Sequence, residues 1–170
     1  MGKPNSNFHL LNRRQRPLFF AALFLLPVII LFSCDRNMLY DQFNRINREG
    51  WTWSDIQEFS PVVEDTLSYY DIYLQVRHRG NYPVSNLYMF VHLKGPHNQA
   101  ITDTVNFILA RPDGTWNGKG LGDLKELRLQ YKRKIRFPEP GTYRISVEQG
   151  MRIPSVPVSD VGVRIVKSEE

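Results

Sequence analysis

Apolar and polar residues alternate with a period of two over much of this 170-residue chain, and this pattern restricts the fold more than any other feature. It is clearest over 124–137, where Leu127, Leu129 and Tyr131 alternate with charged or amide side chains. A strand places alternate side chains on opposite faces, whereas a helix would scatter these cations around its circumference. The same pattern recurs over 70–77. These segments are therefore predicted to be strands with one apolar and one polar face.

Segments rich in glycine, proline and asparagine separate the predicted strands. The longest, 111–122, places four glycines around Trp116, but it lacks the Gly-Lys-Ser/Thr ending of a phosphate-binding loop. After the first 33 residues the sequence shows no convincing amphipathic helix. Strands separated by turns predict an all-β fold, an antiparallel β-sandwich of about seven to eight strands. An edge strand is expected near Leu39 to Phe43.

The first 33 residues differ in kind from the rest of the chain. They contain basic but no acidic residues, and end in an apolar run, 18–32, that is short for a bilayer span and contains Pro27. The run leads into Leu31-Phe32-Ser33-Cys34, which resembles a bacterial lipobox. Cys34 is the only cysteine, so a disulfide within the chain is excluded. These features predict a lipoprotein signal peptide cleaved before Cys34 and acyl chains on that residue.

Three regions follow from this prediction. They are a lipoprotein signal peptide at 1–33, an acylated N-terminus with a tether or edge strand at 34–50, and a β-sandwich domain at 51–170. Of the 22 basic residues four lie in the leader, which leaves 18 against 17 acidic residues, a formal charge of +1. The high isoelectric point therefore gives no argument for a nucleic acid partner.

Residues that could perform catalysis or bind a metal are scattered along the sequence. His78, His92 and His97 have no second ligand at zinc spacing, and there is no G-x-S-x-G motif. The carboxylates lie near predicted turns, where aspartate is common for backbone reasons. We therefore expect no catalytic residue, no metal and no cofactor. A hydrolase that uses two of these carboxylates is the third-ranked hypothesis, which the sequence does not specifically indicate.

Two groups of residues are candidates for binding. One is a basic strip on the polar face of the 124–137 strand, which is either an ordinary solvated edge or a contact for anionic phospholipids or an acidic partner. The other group is the tryptophans, which either cap the core or stack on a sugar in a periplasmic carbohydrate- or glycolipid-binding module. The strip consists of Arg128, Lys132, Lys134 and Arg136, and the tryptophans are Trp116, Trp51 and Trp53.

Several stretches, in matching order, resemble one known family. N-Y-P-V-S-N-L at 81–87 and G-T-W-N-G-K-G at 114–120 are similar to segments of the gliding-motility lipoprotein GldH family, as are D-T at 103–104, L-A at 109–110 and Q-G-M-R at 149–152. The resemblance implies a membrane-anchored lipoprotein of the cell envelope that acts as a structural or interaction component of a motility or secretion complex. It implies protein partners and supplies no catalytic residues. We expect the domain to face the periplasm.

Overall fold

The computed structural model describes residues 37–169, and no α-helix lies within them. The predicted signal peptide and Cys34 lie outside the described residues. No helix in the described part is long and apolar enough to cross a membrane. The twelve strands are β1 (Met38–Arg45), β2 (Trp51–Thr52), β3 (Gln57–Phe59), β4 (Val62–Val63), β5 (Tyr70–Arg79), β6 (Asn86–Lys94), β7 (Ala100–Ile108), β8 (Leu124–Ile135), β9 (Gly141–Thr142), β10 (Arg144–Gln149), β11 (Ser155–Val156) and β12 (Val158–Lys167).

Eight of these strands form two four-stranded antiparallel sheets. The first sheet has the order β1-β12-β5-β8, and the second has the order β3-β10-β6-β7. The short strands form two ribbons, β2 with β11 and β4 with β9. Because alternate residues of each long strand are apolar, each sheet has one apolar face. Both apolar faces are buried when the two sheets pack against each other. The predicted all-β sandwich of about seven to eight strands is confirmed.

One hydrophobic core draws on the inward residues of both sheets. Leu74 and Val76 of β5 and Met89 and Val91 of β6 are fully buried members of this single cluster. Each fully buried aliphatic or aromatic side chain contributes roughly 1.5–3 kcal/mol of transfer free energy. A core of this kind can oppose the ordering entropy of the chain without a disulfide.

The strand expected near Leu39 to Phe43 is present as β1, at the edge of the first sheet. It pairs antiparallel with β12, and Phe43 lies opposite Gly162. A Cβ atom at Gly162 would lie 2.7 Å from Phe43 Cδ1 and 2.9 Å from the Gln42 carbonyl oxygen, so the close approach requires glycine. The sandwich therefore includes residues ahead of the boundary predicted at residue 51.

The alternation predicted over 124–137 is interrupted in β8. Its pairing with β5 shifts register on both sides of Ile72, and Lys134 has a φ of 47°. Extra residues in a strand turn the following side chains to the opposite face. Lys132 consequently lies opposite the buried Ile72 rather than on the outer face. The prediction that all four cations of the basic strip share one face is therefore wrong.

A polar link joins the edge strands of the two sheets. Asp103 of β7 accepts hydrogen bonds from Tyr131 Oη at 2.5 Å and from Lys132 Nζ at 2.7 Å, both from β8. The bond from Lys132, and then that from Tyr131, holds the pKa of Asp103 below its usual range. Burial, together with the Asp103 carboxylate, raises the pKa of Tyr131. The link fixes the bulged strand against the opposite sheet.

Candidate binding site

An exposed groove lies at one end of the sandwich, between the turn that precedes β6 and the loop that follows β7. Its volume is about 550 Å³. We call it the Trp116 groove, and define it by ten lining residues: Tyr82, Pro83, Val84, Ser85, Ile108, Ala110, Arg111, Pro112, Gly114 and Trp116.

Backbone hydrogen bonds hold the two walls of the groove together. The Ser85 carbonyl accepts bonds from the amides of Leu109 at 2.8 Å and Ala110 at 3.0 Å. The second wall is a tight turn closed by the Arg111 amide, which donates to the Thr115 carbonyl at 2.9 Å. Gly114 has a φ of 84° in this turn, a conformation that favours glycine. The groove is therefore a fixed feature of the fold.

Trp116 lines the groove and packs against a buried histidine. Its ring centroid lies 4.6 Å from that of His78 in an edge-on arrangement, and Tyr82 lies 5.6 Å from the same imidazole. His78 lies within β5 and is fully buried. Its Nδ1 is 2.9 Å from the Arg79 carbonyl oxygen, and its Nε2 has no hydrogen-bond partner among the described residues.

The titration of His78 gives a testable pH dependence. Burial lowers the pKa of His78 in the folded protein below its ordinary value of about 6.5. As the pH falls below that value, the unfolded chain binds a proton on His78 more readily than the folded chain does. Stability should therefore be complete above that value and fall as the pH decreases, by at most about 1.4 kcal/mol per pH unit. Denaturant titration of the purified protein at several pH values measures this slope.

A matched pair of variants assigns the slope to one histidine. His78→Asn keeps a side-chain donor near the Nδ1 position and removes the titrating group, so it should flatten the slope. Leu121→Ala, at an exposed residue that does not titrate, should leave it unchanged. An unaltered slope in His78→Asn would exclude His78 as the source.

The structure separates the three tryptophans. Trp51 is fully buried and its Nε1 donates to the Asp55 carbonyl at 2.7 Å, so it belongs to the core and offers no ring face to a ligand. Trp53 is 52% exposed, and its Nε1 donates to the Met151 carbonyl at 2.8 Å. Trp116 is partly buried. Stacking on a sugar stays a prediction for Trp53 and Trp116 alone.

Two further aromatic residues, which sequence reasoning did not select, lie on the outer face of the second sheet. Tyr88 and Phe90 of β6 are both exposed. Phe90 lies over Gly150, where a Cβ atom would be 3.1 Å from its ring, and Met151 Sδ is 3.2 Å from the Tyr88 amide nitrogen. Trp53 bonds to the same Met151, and we call these three exposed rings, Trp53, Tyr88 and Phe90, the aromatic row. The available signal was their position on the polar face of an alternating strand.

The basic residues occupy separate environments. Arg128 donates from Nε to Gln75 Oε1 at 3.1 Å, and Lys132 is paired with Asp103. The Arg136 guanidinium lies 4.3 Å from the centre of the Tyr69 ring. The structure therefore does not bring the four cations together. Within residues 37–169, no three His, Cys, Asp or Glu side chains are grouped so that they could hold a metal ion.

The fold and the groove define an antiparallel β-sandwich domain with an exposed, largely apolar surface at one end. The family model described as GldH lipoprotein matches residues 38–165. The gliding motility lipoprotein GldH homolog of Christiangramia forsetii is 32% identical over 163 residues, which covers 91% of this chain and 99% of that protein. The gliding motility lipoprotein GldH of Flavobacterium johnsoniae is 32% identical over 157 residues, covering 88% and 97%. The chain belongs to the GldH lipoprotein family.

This membership confirms the resemblance drawn from the sequence and makes the chain a membrane-anchored envelope lipoprotein of the gliding-motility type. A solved family GH115 4-O-methyl-alpha-glucuronidase is 14% identical, with a TM-score of 0.39, and covers 81% of this chain but 18% of its own. That likeness is too distant to inform function. The two longest stretches of the resemblance, 81–87 and 114–120, contribute to the two walls of the Trp116 groove.

Proposed function

We propose that this protein is a non-enzymatic interaction component of the gliding-motility machinery, anchored through acyl chains on Cys34 and facing the periplasm. The observation that carries the proposal is the Trp116 groove, where two stretches distant in sequence form one exposed surface. Apolar surface with a polar rim is typical of sites at which proteins bind one another. The groove supports recruitment of a partner protein.

The lining of the groove indicates the chemistry of that partner. Pro83, Val84 and Ile108 provide apolar surface beside the Trp116 ring, and Arg111 is the one cation. None of the described residues that line the groove is a carboxylate. The segment that binds is therefore expected to be apolar and to carry an acidic residue that meets Arg111.

A pull-down of the full chain from gently solubilised membranes tests the proposal. Val84→Asp or Arg111→Glu should reduce the recovered partner at least about tenfold, because each loss of about 1.4 kcal/mol is a factor of ten in affinity. Leu121→Asp is the matched control, since Leu121 is 96% exposed and lies outside the groove. Equal recovery with all three variants, or no other protein with the wild type, would contradict the proposal.

Binding of an envelope glycan or glycolipid is the alternative. The aromatic row of Trp53, Tyr88 and Phe90 favours it, because exposed rings beside polar side chains suit a sugar face. Phe90→Ala would then abolish binding, and the groove variants would not affect it.

Lys134 and Arg136, both exposed, are the remaining candidates for contact with anionic lipid.

A further inference from the structure

The outermost strand of the second sheet lacks the features that protect the other sheet edges. Open edges attract further strands, and proteins discourage this with bulges, charges, proline or short length. β8 has two register shifts and a Lys132-Arg133-Lys134 run, β3 has three residues, and β1 has a register shift and contains Asp41 and Arg45. By contrast, β7 has nine residues, pairs with β6 without a register shift, and contains no lysine, arginine or proline. Its one charged residue, Asp103, is paired with Lys132 of the same copy.

The backbone of β7 alternates between bonding to β6 and facing the open edge. The Gly95 amide donates to the Gln99 carbonyl, and the Leu109 amide donates to the Ser85 carbonyl, at 2.9 and 2.8 Å. In an antiparallel ladder this places the odd-numbered backbone groups of β7 toward β6 and the even-numbered groups outward. Among the described residues, no hydrogen bond is made to the outward backbone groups of Thr102, Thr104 and Asn106.

We propose that this edge pairs antiparallel with β7 of a second copy of the chain, around a two-fold axis at Thr104. Thr104 is the middle residue of β7, so this register pairs the open backbone groups of Thr102, Thr104 and Asn106. The Ile108 carbonyl already accepts a bond from Asn117 Nδ2 at 3.1 Å and stays with its own copy. It places Ile108 opposite Ala100 of the other copy and Ile101 opposite Phe107. Ile101 and Ile108 are 54% and 48% exposed in one copy, and each would gain an apolar neighbour. The second sheets of the two copies then form one continuous eight-stranded sheet.

Charge favours this register over its neighbour. Asp103 is the one charged residue of β7, and around Thr104 it lies opposite Val105 of the other copy. Within its own copy its carboxylate is already paired with Lys132. An axis at Asp103 would instead place two carboxylates directly opposite each other, which is unfavourable. Ile108 also lines the Trp116 groove, but the dimer does not depend on that groove being a partner site.

Cross-linking in membranes tests the proposed axis. Thr104→Cys in the full chain, treated with a short bismaleimide, should give a covalent species of twice the monomer mass, because the two thiols meet at the axis. Gln42→Cys on the exposed edge strand β1 is the matched control and should stay monomeric. A product of any other mass, or no product from Thr104→Cys, would overturn the proposal.

A proline at the same position tests the backbone pairing. Thr104→Pro removes an outward N–H that makes no bond within the copy, so the fold should be kept while the dimer fraction falls at least tenfold. Light scattering of the detergent-solubilised protein measures the mass, and circular dichroism reports the fold. If Thr104→Pro fails to fold, Thr104→Lys adds a charge at the axis and should also yield monomer. A folded variant that remains dimeric would exclude pairing through β7.

Discussion

Cys34→Ser should abolish fatty-acid labelling of the protein and block its processing to a chain that begins at residue 34. The reason is chemical, since a thiol accepts the lipid in a lipoprotein signal and a serine hydroxyl does not replace it. Each buried methylene adds about 0.8 kcal/mol of membrane affinity, so several acyl chains on one residue give an essentially permanent anchor. Metabolic labelling with a fatty acid, followed by fractionation of inner and outer membranes, measures both the modification and its destination.

Ser33→Ala is the matched control for this experiment. It keeps a small residue before the cleavage point and should be labelled and processed as the wild type is. If 18–32 is instead an uncleaved anchor, Cys34→Ser would leave maturation and membrane association unchanged. Such a result would remove the lipid anchor from the proposed function.

Trp51→Ala should reduce the free energy of unfolding by roughly 3–5 kcal/mol, the usual cost of truncating a large buried aromatic residue. Trp51 is fully buried, and its loss also removes the hydrogen bond to the Asp55 carbonyl. Trp53→Ala should cost about 1 kcal/mol or less, because half of that ring is already in water. Denaturant unfolding, monitored by circular dichroism, compares the two variants. Similar losses of stability would show that Trp51 does not hold the core as the structure indicates.

The regular strands were predictable because each is half-buried. The inward residues are apolar at every alternate position from Ile72 to Val76 in β5 and from Leu87 to Val91 in β6. A sheet with one buried face requires this pattern. The sequence of β8 carries one signal of its irregularity, because Arg133 stands where the alternation calls for an apolar residue. The positions of the register shifts depend on which β5 residue lies opposite, which the sequence does not give.

The binding surface could be predicted in part. The stretches 81–87 and 114–120 were recognised separately, but their contact depends on the pairing of β6 with β7, which joins residues far apart in the chain. The burial of His78 was missed for a related reason. A histidine before Arg79-Gly80-Asn81 has the local sequence of a turn, and only the packing of Trp116 and Tyr82 encloses it.

The register of β1, β12 and β5 determines where tension would enter this domain. Met38 pairs with Val166, which pairs with Asp71, whereas His78 and the Trp116 groove lie at the other end of β5. Asp71 and His78 are seven residues apart on β5, so the chain enters the sandwich roughly 23 Å from the groove at 3.3 Å per residue. A pull between the two ends would act along the strands and load the β1–β12 hydrogen bonds together in shear. A motility machine could therefore pull on such a domain without breaking these hydrogen bonds one after another.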